Sequence, residues 1–160
     1  MSTNLKNPSD SEVHMREMVM PSHTNAHGTI FGGTIMGWID IAAAMCASRH
    51  CNLPVVTVHV DGIEFKSPIN IGSHVIIKAS LNYVGRSSMI IGVRVESENP
   101  ITGVRRVTTK AYLTFVAIDE FGKPVPVKGL NPVTDDDKRR YKNAQARTQS
   151  RKELKDKLES

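Results

Sequence analysis

The chain has 160 residues, of which 39% are hydrophobic and 5% aromatic, and its 21 Lys and Arg against 16 Asp and Glu give a formal net charge of +5. This composition is typical of one globular domain with a modest basic surplus, and a chain of this length buries a core without covalent cross-links. Neither a disulfide framework nor a zinc knuckle is indicated, because the only two cysteines are Cys46 and Cys51, with no ligand-spaced histidine or cysteine pair near them.

The first thirty residues contain no basic segment followed by an unbroken apolar run, which a secretory signal requires. No window of the sequence reaches about 18 consecutive apolar residues, the length of a membrane-spanning helix. We therefore expect a soluble, cytoplasmic protein with reduced cysteines and no membrane partner.

The first regular elements are a strand at Val13 to Met20 and a helix within residues 31–50. The helical segment starts after the Gly32-Gly33 pair, ends near Arg49 and His50, and is apolar on nearly every side. Such a helix has to be wrapped by other elements.

Four segments rich in β-branched residues follow this helix and supply that wrapping. They cover residues 55–65, 74–84, 88–98 and 104–119, and the turns between the last three are short. Short connections indicate antiparallel neighbours. The sequence thus predicts an α+β domain over residues 10–133, with a curved antiparallel sheet wrapped around one long central helix, preceded by a flexible N-terminus at residues 1–9.

Residues 134–160 form a charged tail with nine basic and six acidic side chains. Thr134 is placed as an N-cap, and Asp135 to Asp137 follow where a helix dipole favours anions. We expect a solvated, peripheral helix or a partly frayed tail. Acidic residues are interleaved with the basic ones and Tyr141 is the single aromatic, which argues against nucleic-acid binding.

Asp40 is out of place in this pattern, because it lies within the apolar helix and has no cation within four residues. We expect a buried carboxylate that faces Met36, Ala43, Ala44 and Ala47, where desolvation would make it a stronger base. A structural role, with Asp40 satisfied by a backbone N–H or a distant arginine, is the alternative that the helix alone leaves open.

The loop from Asn25 to Gly33 leads into the N-terminus of this helix and contains three glycines. A helix N-terminus offers free N–H donors, and Gly32 and Gly33 would let a carbonyl oxygen approach them closely. The loop is therefore a candidate oxyanion hole. It has neither the spacing of a dinucleotide-binding loop nor the lysine of a P-loop.

A family resemblance rests on these residues together. The pattern Asn25-x-x-Gly28-x-x-Phe31-Gly32-Gly33, Asp40 seven residues later, the segment FKSPINIGSHV and the turn Gly85-Arg86-Ser87-Ser88 occur in one order. Over about residues 10–125 the chain resembles the hot-dog-fold acyl-CoA thioesterases of the YciA and acyl-CoA hydrolase type. The resemblance implies a hot-dog fold and hydrolysis of acyl-CoA to fatty acid and coenzyme A, with no metal and no cofactor beyond the coenzyme A of the substrate. It also implies a homo-oligomer with a dimer as its minimal unit, assembled as a trimer of dimers.

The same resemblance assigns roles in a site shared between opposing subunits. Asp40 would activate a water or attack the thioester carbonyl directly, and the sequence leaves both routes open. Asn25 of the opposing subunit would position the water or substrate, while the amides of Gly32 and Gly33 would hold the oxyanion.

Substrate-binding residues are expected in the loop and in the later turn. The loop residues are His27, Gly28 and Phe31, although His27 departs from related bacterial sequences and is interpreted first as a loop hydrogen bonder, with a substrate contact as the alternative. The turn Gly85, Arg86, Ser87 and Ser88 would hold the phosphate-bearing end of coenzyme A, with a plain hairpin as the alternative.

Two other functions remain as alternatives. One is a non-catalytic acyl-CoA-binding regulator that uses the basic tail for DNA or partner binding. The other is a hot-dog dehydratase, which would need a histidine paired with an acid that the sequence does not indicate.

Overall fold

The computed structural model of the chain describes residues 5–159. Seven strands, two 3-10 turns and two α-helices follow one another in these residues. They are β1 (Leu5–Lys6), a turn (Pro8–Asp10), β2 (Val13–Met18), a turn (Pro21–His23), α1 (Gly32–Cys51), β3 (Val55–Phe65), β4 (His74–Val84), β5 (Ser88–Glu98), β6 (Arg105–Ala117), β7 (Gly129–Leu130) and α2 (Asp135–Glu159).

The main sheet has five strands in the order β2-β4-β5-β6-β3, and every pair in it is antiparallel. β1 and β7 form a separate parallel pair. The predicted α+β hot-dog architecture is confirmed, because the sheet lies against one long helix and short turns join β4 to β5 and β5 to β6. β2 and β3 are the two edges of the sheet.

The core lies between α1 and the facing side of the sheet. From α1 it takes Ile35, Ile39, Ala42, Ala43 and Cys46, and the strands supply the aliphatic residues opposite them. The helix ends at Asn52, whose left-handed backbone (φ 57°) closes the last turn through its N–H and the Ser48 carbonyl oxygen at 2.7 Å.

One face of α1 is not covered by any element of residues 5–159, contrary to the expected wrapping on all sides. Met36, Ile41 and Met45 are exposed at 45%, 52% and 39%. The neighbouring edge strand β3 exposes Val56 and Val58 at 40% and 55%. The three exposed side chains of α1 mark a side of the helix that we call the uncovered face.

α2 packs by its first half on the side of the sheet opposite α1. Thr134 and Asp137 cap it reciprocally, with backbone N–H to side-chain oxygen distances of 3.0 Å in both directions. Ala144 is fully buried, the Tyr141 ring lies 5.0 Å from the Tyr83 ring, and the Arg147 guanidinium stacks 3.5 Å from the centre of the Tyr112 ring.

The start of the chain was predicted to be flexible over residues 1–9. Residues 1–4 of that prediction lie outside the described residues, whereas Leu5 and Lys6 pair with β7 and Lys6 Nζ donates to the Arg49 carbonyl oxygen at 2.8 Å. Within residues 5–159, neither helix is long and apolar enough to cross a membrane.

Candidate active site

Asp40 lies on the uncovered face of α1 and is exposed in the single chain. The predicted burial is wrong for one copy, because no element within residues 5–159 covers this side of the helix. Met36 and Ala44 share this side, whereas Ala43 and Ala47 are fully buried in the core. Within residues 5–159 Asp40 forms no ion pair.

Thr57 holds the Asp40 carboxylate. Its hydroxyl donates to Asp40 Oδ1 at 2.7 Å, a short hydrogen bond to a charged acceptor. β3 places Thr57 on the α1 side of the sheet, since its partner Phe115 is a core residue. The bond fixes one carboxylate oxygen and leaves Oδ2 available to a water.

The sequence interpretation missed Thr57. A threonine in a β-branched run is ordinary, and its closeness to Asp40, 17 residues earlier, depends on where β3 packs along α1. The only available signal was its polarity among the valines of VVTVHV.

Asn25 shapes the loop before α1. Its Oδ1 accepts from the backbone N–H groups of His27 at 2.9 Å and Thr29 at 3.3 Å, and its Nδ2 donates to Thr29 Oγ1 at 2.9 Å. Gly28 sits in the bend with φ +76°, which a side chain would strain. The exposed Asn25 therefore fixes the loop conformation within its own chain.

The other loop residues lie beside this turn. His27 contributes its backbone N–H to the loop, as the first interpretation expected, and its side chain is exposed. Phe31 is 59% exposed, and its N–H donates to the His23 carbonyl oxygen at 2.8 Å. An exposed phenylalanine at a helix entrance is an apolar contact surface for a ligand or another subunit.

Gly32 and Gly33 form the first turn of α1. Among residues 5–159 their backbone N–H groups have no acceptor, whereas Thr34 N–H donates to the Phe31 carbonyl oxygen at 2.9 Å. A side chain at Gly33 would meet the Phe31 ring at 2.5 Å. These two N–H groups are free to bind a ligand oxygen.

A groove of about 330 Å³ opens beside this helix end. Its lining combines the first turn of α1 with the segment that follows β3, and it is mainly apolar: Ile30, Gly32, Ile35, Phe65, Lys66, Ser67, Pro68 and Ile69. An apolar groove next to free N–H donors can bind a ligand whose apolar chain ends in a polarised carbonyl group.

The turn Gly85 to Ser88 lies at the other end of the sheet. It joins β4 to β5 and is closed by the Gly85 N–H and the Ser88 carbonyl oxygen at 2.8 Å, with Arg86 exposed. β2 ends opposite His74, so the loop and the start of α1 lie one full β4 length away. One chain therefore does not bring Arg86, Ser87 and the loop residues together.

No group of three or more His, Cys, Asp or Glu that could hold a metal ion is found in residues 5–159. The two cysteines are free and buried, and burial raises the pKa of Cys46 to about 12. A thiol with this pKa is not a nucleophile at neutral pH.

A family model described as the thioesterase superfamily matches residues 27–104, a stretch that includes α1 and the edge strand β3. A Bacillus subtilis (strain 168) protein named as an uncharacterised acyl-CoA thioester hydrolase, YkhA, is 38% identical over 146 residues, which are 91% of this chain and 85% of that protein.

Two crystal structures are similar over nearly the whole chain. A hexameric acyl-CoA thioesterase in its apo form has a TM-score of 0.90 and 41% identity, covering 93% of this chain and 96% of that one. A Staphylococcus aureus acyl-CoA hydrolase in complex with butyryl coenzyme A, coenzyme A and coenzyme A disulfide has a TM-score of 0.89 and 35% identity, covering 97% and 94%.

The fold, the family match and the extent of these similarities agree with one another and with the site at the N-terminal half of α1. The chain belongs to the thioesterase superfamily, as a hot-dog-fold acyl-CoA hydrolase.

Proposed function

We propose that the protein hydrolyses acyl-CoA thioesters to the free acid and coenzyme A, with Asp40 as the catalytic carboxylate. One observation carries this proposal: Asp40 is held by Thr57 at 2.7 Å on the uncovered face of α1, and no cation among residues 5–159 pairs with it. Burial of an unpaired carboxylate costs free energy, and the surroundings of Asp40 become apolar once the face is covered. A carboxylate kept at such a position therefore indicates a chemical role.

The chemistry needs only groups that the chain supplies and a water. Asp40 accepts a proton from the water, whose oxygen bonds to the thioester carbonyl carbon; the carbon–sulfur bond then breaks and the proton passes to the coenzyme A thiolate. Alternatively Asp40 Oδ2 bonds to the carbonyl carbon, and the carbon–sulfur bond breaks to release the coenzyme A thiolate. A water then hydrolyses the anhydride to the free acid and the Asp40 carboxylate, and its second proton passes to the thiolate. In both routes the N–H groups of Gly32 and Gly33 hold the developing oxyanion.

A second copy of the chain completes the site in this proposal. β3 is an edge strand with unpaired backbone groups, and it borders the apolar side chains of α1. Pairing of two β3 edges would bury both uncovered faces, desolvate Asp40 and place Asn25 of one subunit against Asp40 of the other. The partner's groove at Phe65 and Pro68 would then hold the acyl chain or the pantetheine arm.

We propose that the turn Gly85, Arg86, Ser87 and Ser88 of one subunit binds coenzyme A that is held in the active site of another subunit of the assembly. The turn is too far from the loop of its own chain, so it can serve only a site built by another subunit. Arg86 would meet phosphate, and the exposed turn leaves its side chain free to do so. A hexamer of three dimers provides such a neighbour.

Related structures support this proposal by their assembly, their ligands and the variants in which they were crystallised. One is a hexameric acyl-CoA thioesterase, and the Staphylococcus aureus hydrolase binds butyryl coenzyme A. That hydrolase has also been crystallised as single alanine variants of an aspartate, an asparagine and a threonine. Asp40, Asn25 and Thr57 are the same three residue types.

We propose that the reaction needs no metal or cofactor and that the protein is cytoplasmic. Carboxylate, water and N–H donors suffice for the reaction, so hydrolysis is expected to be unchanged in excess EDTA. Two free cysteines are consistent with a reducing compartment.

Substitution of Asp40 tests the function. We expect Asp40→Asn and Asp40→Ala to lower kcat by at least about 100-fold, the usual contribution of a general base, without loss of fold. Release of free thiol from a panel of short to long acyl-CoA esters gives the rate, and circular dichroism reports the fold.

Asp61→Asn is the matched control, because Asp61 lies on the same edge strand but pairs with Tyr112, a residue of the outer side of the sheet. It should retain wild-type kcat. An Asp40→Ala protein that keeps most of the parent activity would disprove the assignment.

A further inference from the structure

The outer side of the sheet, which faces away from Asp40, carries a cavity of about 540 Å³ between the strands and α2. Its lining contains six basic residues and two acidic ones, Glu12 and Glu96. The basic residues are Lys78, Arg94, Lys110, Arg139, Arg140 and Arg147. Glu96 is bonded to Arg94 at 2.9 Å and Asp136 to Arg139 at 3.2 Å. Within residues 5–159 the other four basic side chains form no ion pair with a carboxylate.

Three of these cations stand side by side across the sheet. Lys78 pairs in register with Arg94, and Arg94 pairs with Lys110. Directly opposite like charges destabilise a sheet. Two carboxylates adjoin the row, Glu64 opposite Lys110 and Glu96 bonded to Arg94, and an anion lying over the row would offset the remaining positive charge.

The floor of the cavity is polar and has unused hydrogen-bonding capacity. Asn82 is 3% exposed, and its Oδ1 has no partner among residues 5–159; the same holds for Ser80 Oγ, also in the cavity lining. Buried polar atoms are nearly always bonded, so unpartnered ones beside a cavity point to a ligand or ordered water.

Two backbone features position the side-chain amide of Asn82. The pairing of β4 with β5 shifts register between Leu81 and Tyr83, which makes Asn82 the extra residue of a β-bulge. Across the bulge Gly92 leaves the room that the amide occupies, since a Cβ there would lie 2.5 Å from Asn82 Nδ2. A larger residue at position 92 would displace Asn82.

We propose that this cavity is a binding site for a small organic molecule that carries two or more phosphate charges and at least one hydroxyl or amino group. The cation row and α2 bind the phosphates, and Asn82 and Ser80 bind the polar organic part. The inference does not rest on the proposed hydrolysis, because the cavity and Asp40 lie on opposite sides of the sheet and binding can be measured directly.

Isothermal titration calorimetry with three probes tests the proposal: inorganic pyrophosphate, fructose 1,6-bisphosphate and free coenzyme A. We expect binding of at least one of the two organic phosphates, about tenfold tighter than pyrophosphate because of the added hydrogen bonds. Lys110→Gln with Arg140→Gln should weaken it at least tenfold. Arg151→Gln with Lys152→Gln, outside the cavity, removes the same charge and should leave the affinity unchanged.

Asn82→Leu tests the contribution of the polar floor of the cavity apart from that of the basic residues. It should abolish the preference for the organic phosphate over pyrophosphate while the melting temperature stays equal or rises, since a buried amide oxygen with no partner among residues 5–159 is removed. A preference that survives this change would disprove the role of the floor.

Steady-state kinetics identify the source of the phosphate. If Lys110→Gln with Arg140→Gln raises the KM for acyl-CoA and leaves kcat unchanged, the ligand is the phosphate end of a substrate; if KM is unchanged while probe binding is lost, it is a separate phosphorylated metabolite. The site is disproved if none of the three probes binds at millimolar concentration, or if both double variants lose affinity equally. It is also disproved if the cavity variant changes the oligomeric mass, because the cations would then hold subunits together.

Discussion

At the scale of single residues, the chemistry depends on the pair Asp40 and Thr57. An exposed carboxylate on a helix samples several rotamers, and one hydrogen bond at 2.7 Å restricts it. Thr57 is thus a positioning residue, which acts on the substrate only through Asp40.

Thr57→Val tests this role, because valine keeps the shape and removes the hydroxyl. We expect kcat to fall about 10- to 100-fold, which corresponds to the loss of a hydrogen bond to a charged group, with little change in KM. Thr57→Ser, which restores a hydroxyl, should recover most of the rate. Equal losses in the valine and serine variants would point to packing of the methyl group instead.

At the scale of elements, the sequence predicted α1 and the four long strands to within one or two residues. β-branched runs and Gly or Pro turns determine strands locally, and β5 was predicted at its observed bounds, 88–98. The first strand ends at Met18 rather than Met20, because the chain turns at Pro21.

The C-terminal end of α1 is fixed by a contact that no local pattern predicts. His50 is fully buried, and its Nε2–H donates to the Lys128 carbonyl oxygen at 2.7 Å. Burial lowers the pKa of His50 below its usual value of 6.5, although the Lys128 bond acts in the opposite direction. The ring is therefore neutral in the folded state at neutral pH.

This contact predicts a pH dependence of stability. The unfolded chain binds a proton at His50 that the folded chain does not, so the stabilisation is present above pH 6.5 and decreases as the pH falls below it. We expect the melting temperature of the wild type to fall more steeply between pH 7 and pH 5 than that of His50→Gln, measured by thermal denaturation.

His14→Gln is the control for this experiment, since His14 is exposed. It should keep the wild-type slope. If His50→Gln shows the same slope as the wild type, His50 is not the group responsible.

At the scale of the whole molecule, the site is incomplete in one chain. Asp40 and the free N–H groups of Gly32 and Gly33 are exposed, and the turn at Arg86 lies at the far end of the sheet. The proposed dimer places Asp40 of one copy with Asn25 of the other, so two inactive variants should complement each other.

Co-expression of Asp40→Ala and Asn25→Ala chains with two different affinity tags tests this. In a dimer that contains one of each, one of the two sites has both wild-type residues, so the doubly purified protein should regain up to about half of the wild-type activity per dimer. Each variant alone stays inactive. A doubly tagged dimer with no activity would show that Asp40 and Asn25 do not work across the subunit boundary.

The sequence by itself determined the long helix and the long strands, their antiparallel arrangement and the identity of Asp40 and the glycine loop as unusual features, but not the short strands β1 and β7. These follow from local periodicity, turn residues and the cost of a carboxylate in an apolar helix. The tertiary structure alone decided that one side of α1 is uncovered, that Thr57 reaches Asp40 and that the basic residues of α2 and three strands enclose one cavity. The reason is physical: which side chains meet is set by strand register and helix packing between residues far apart in the chain, and no local pattern contains that information.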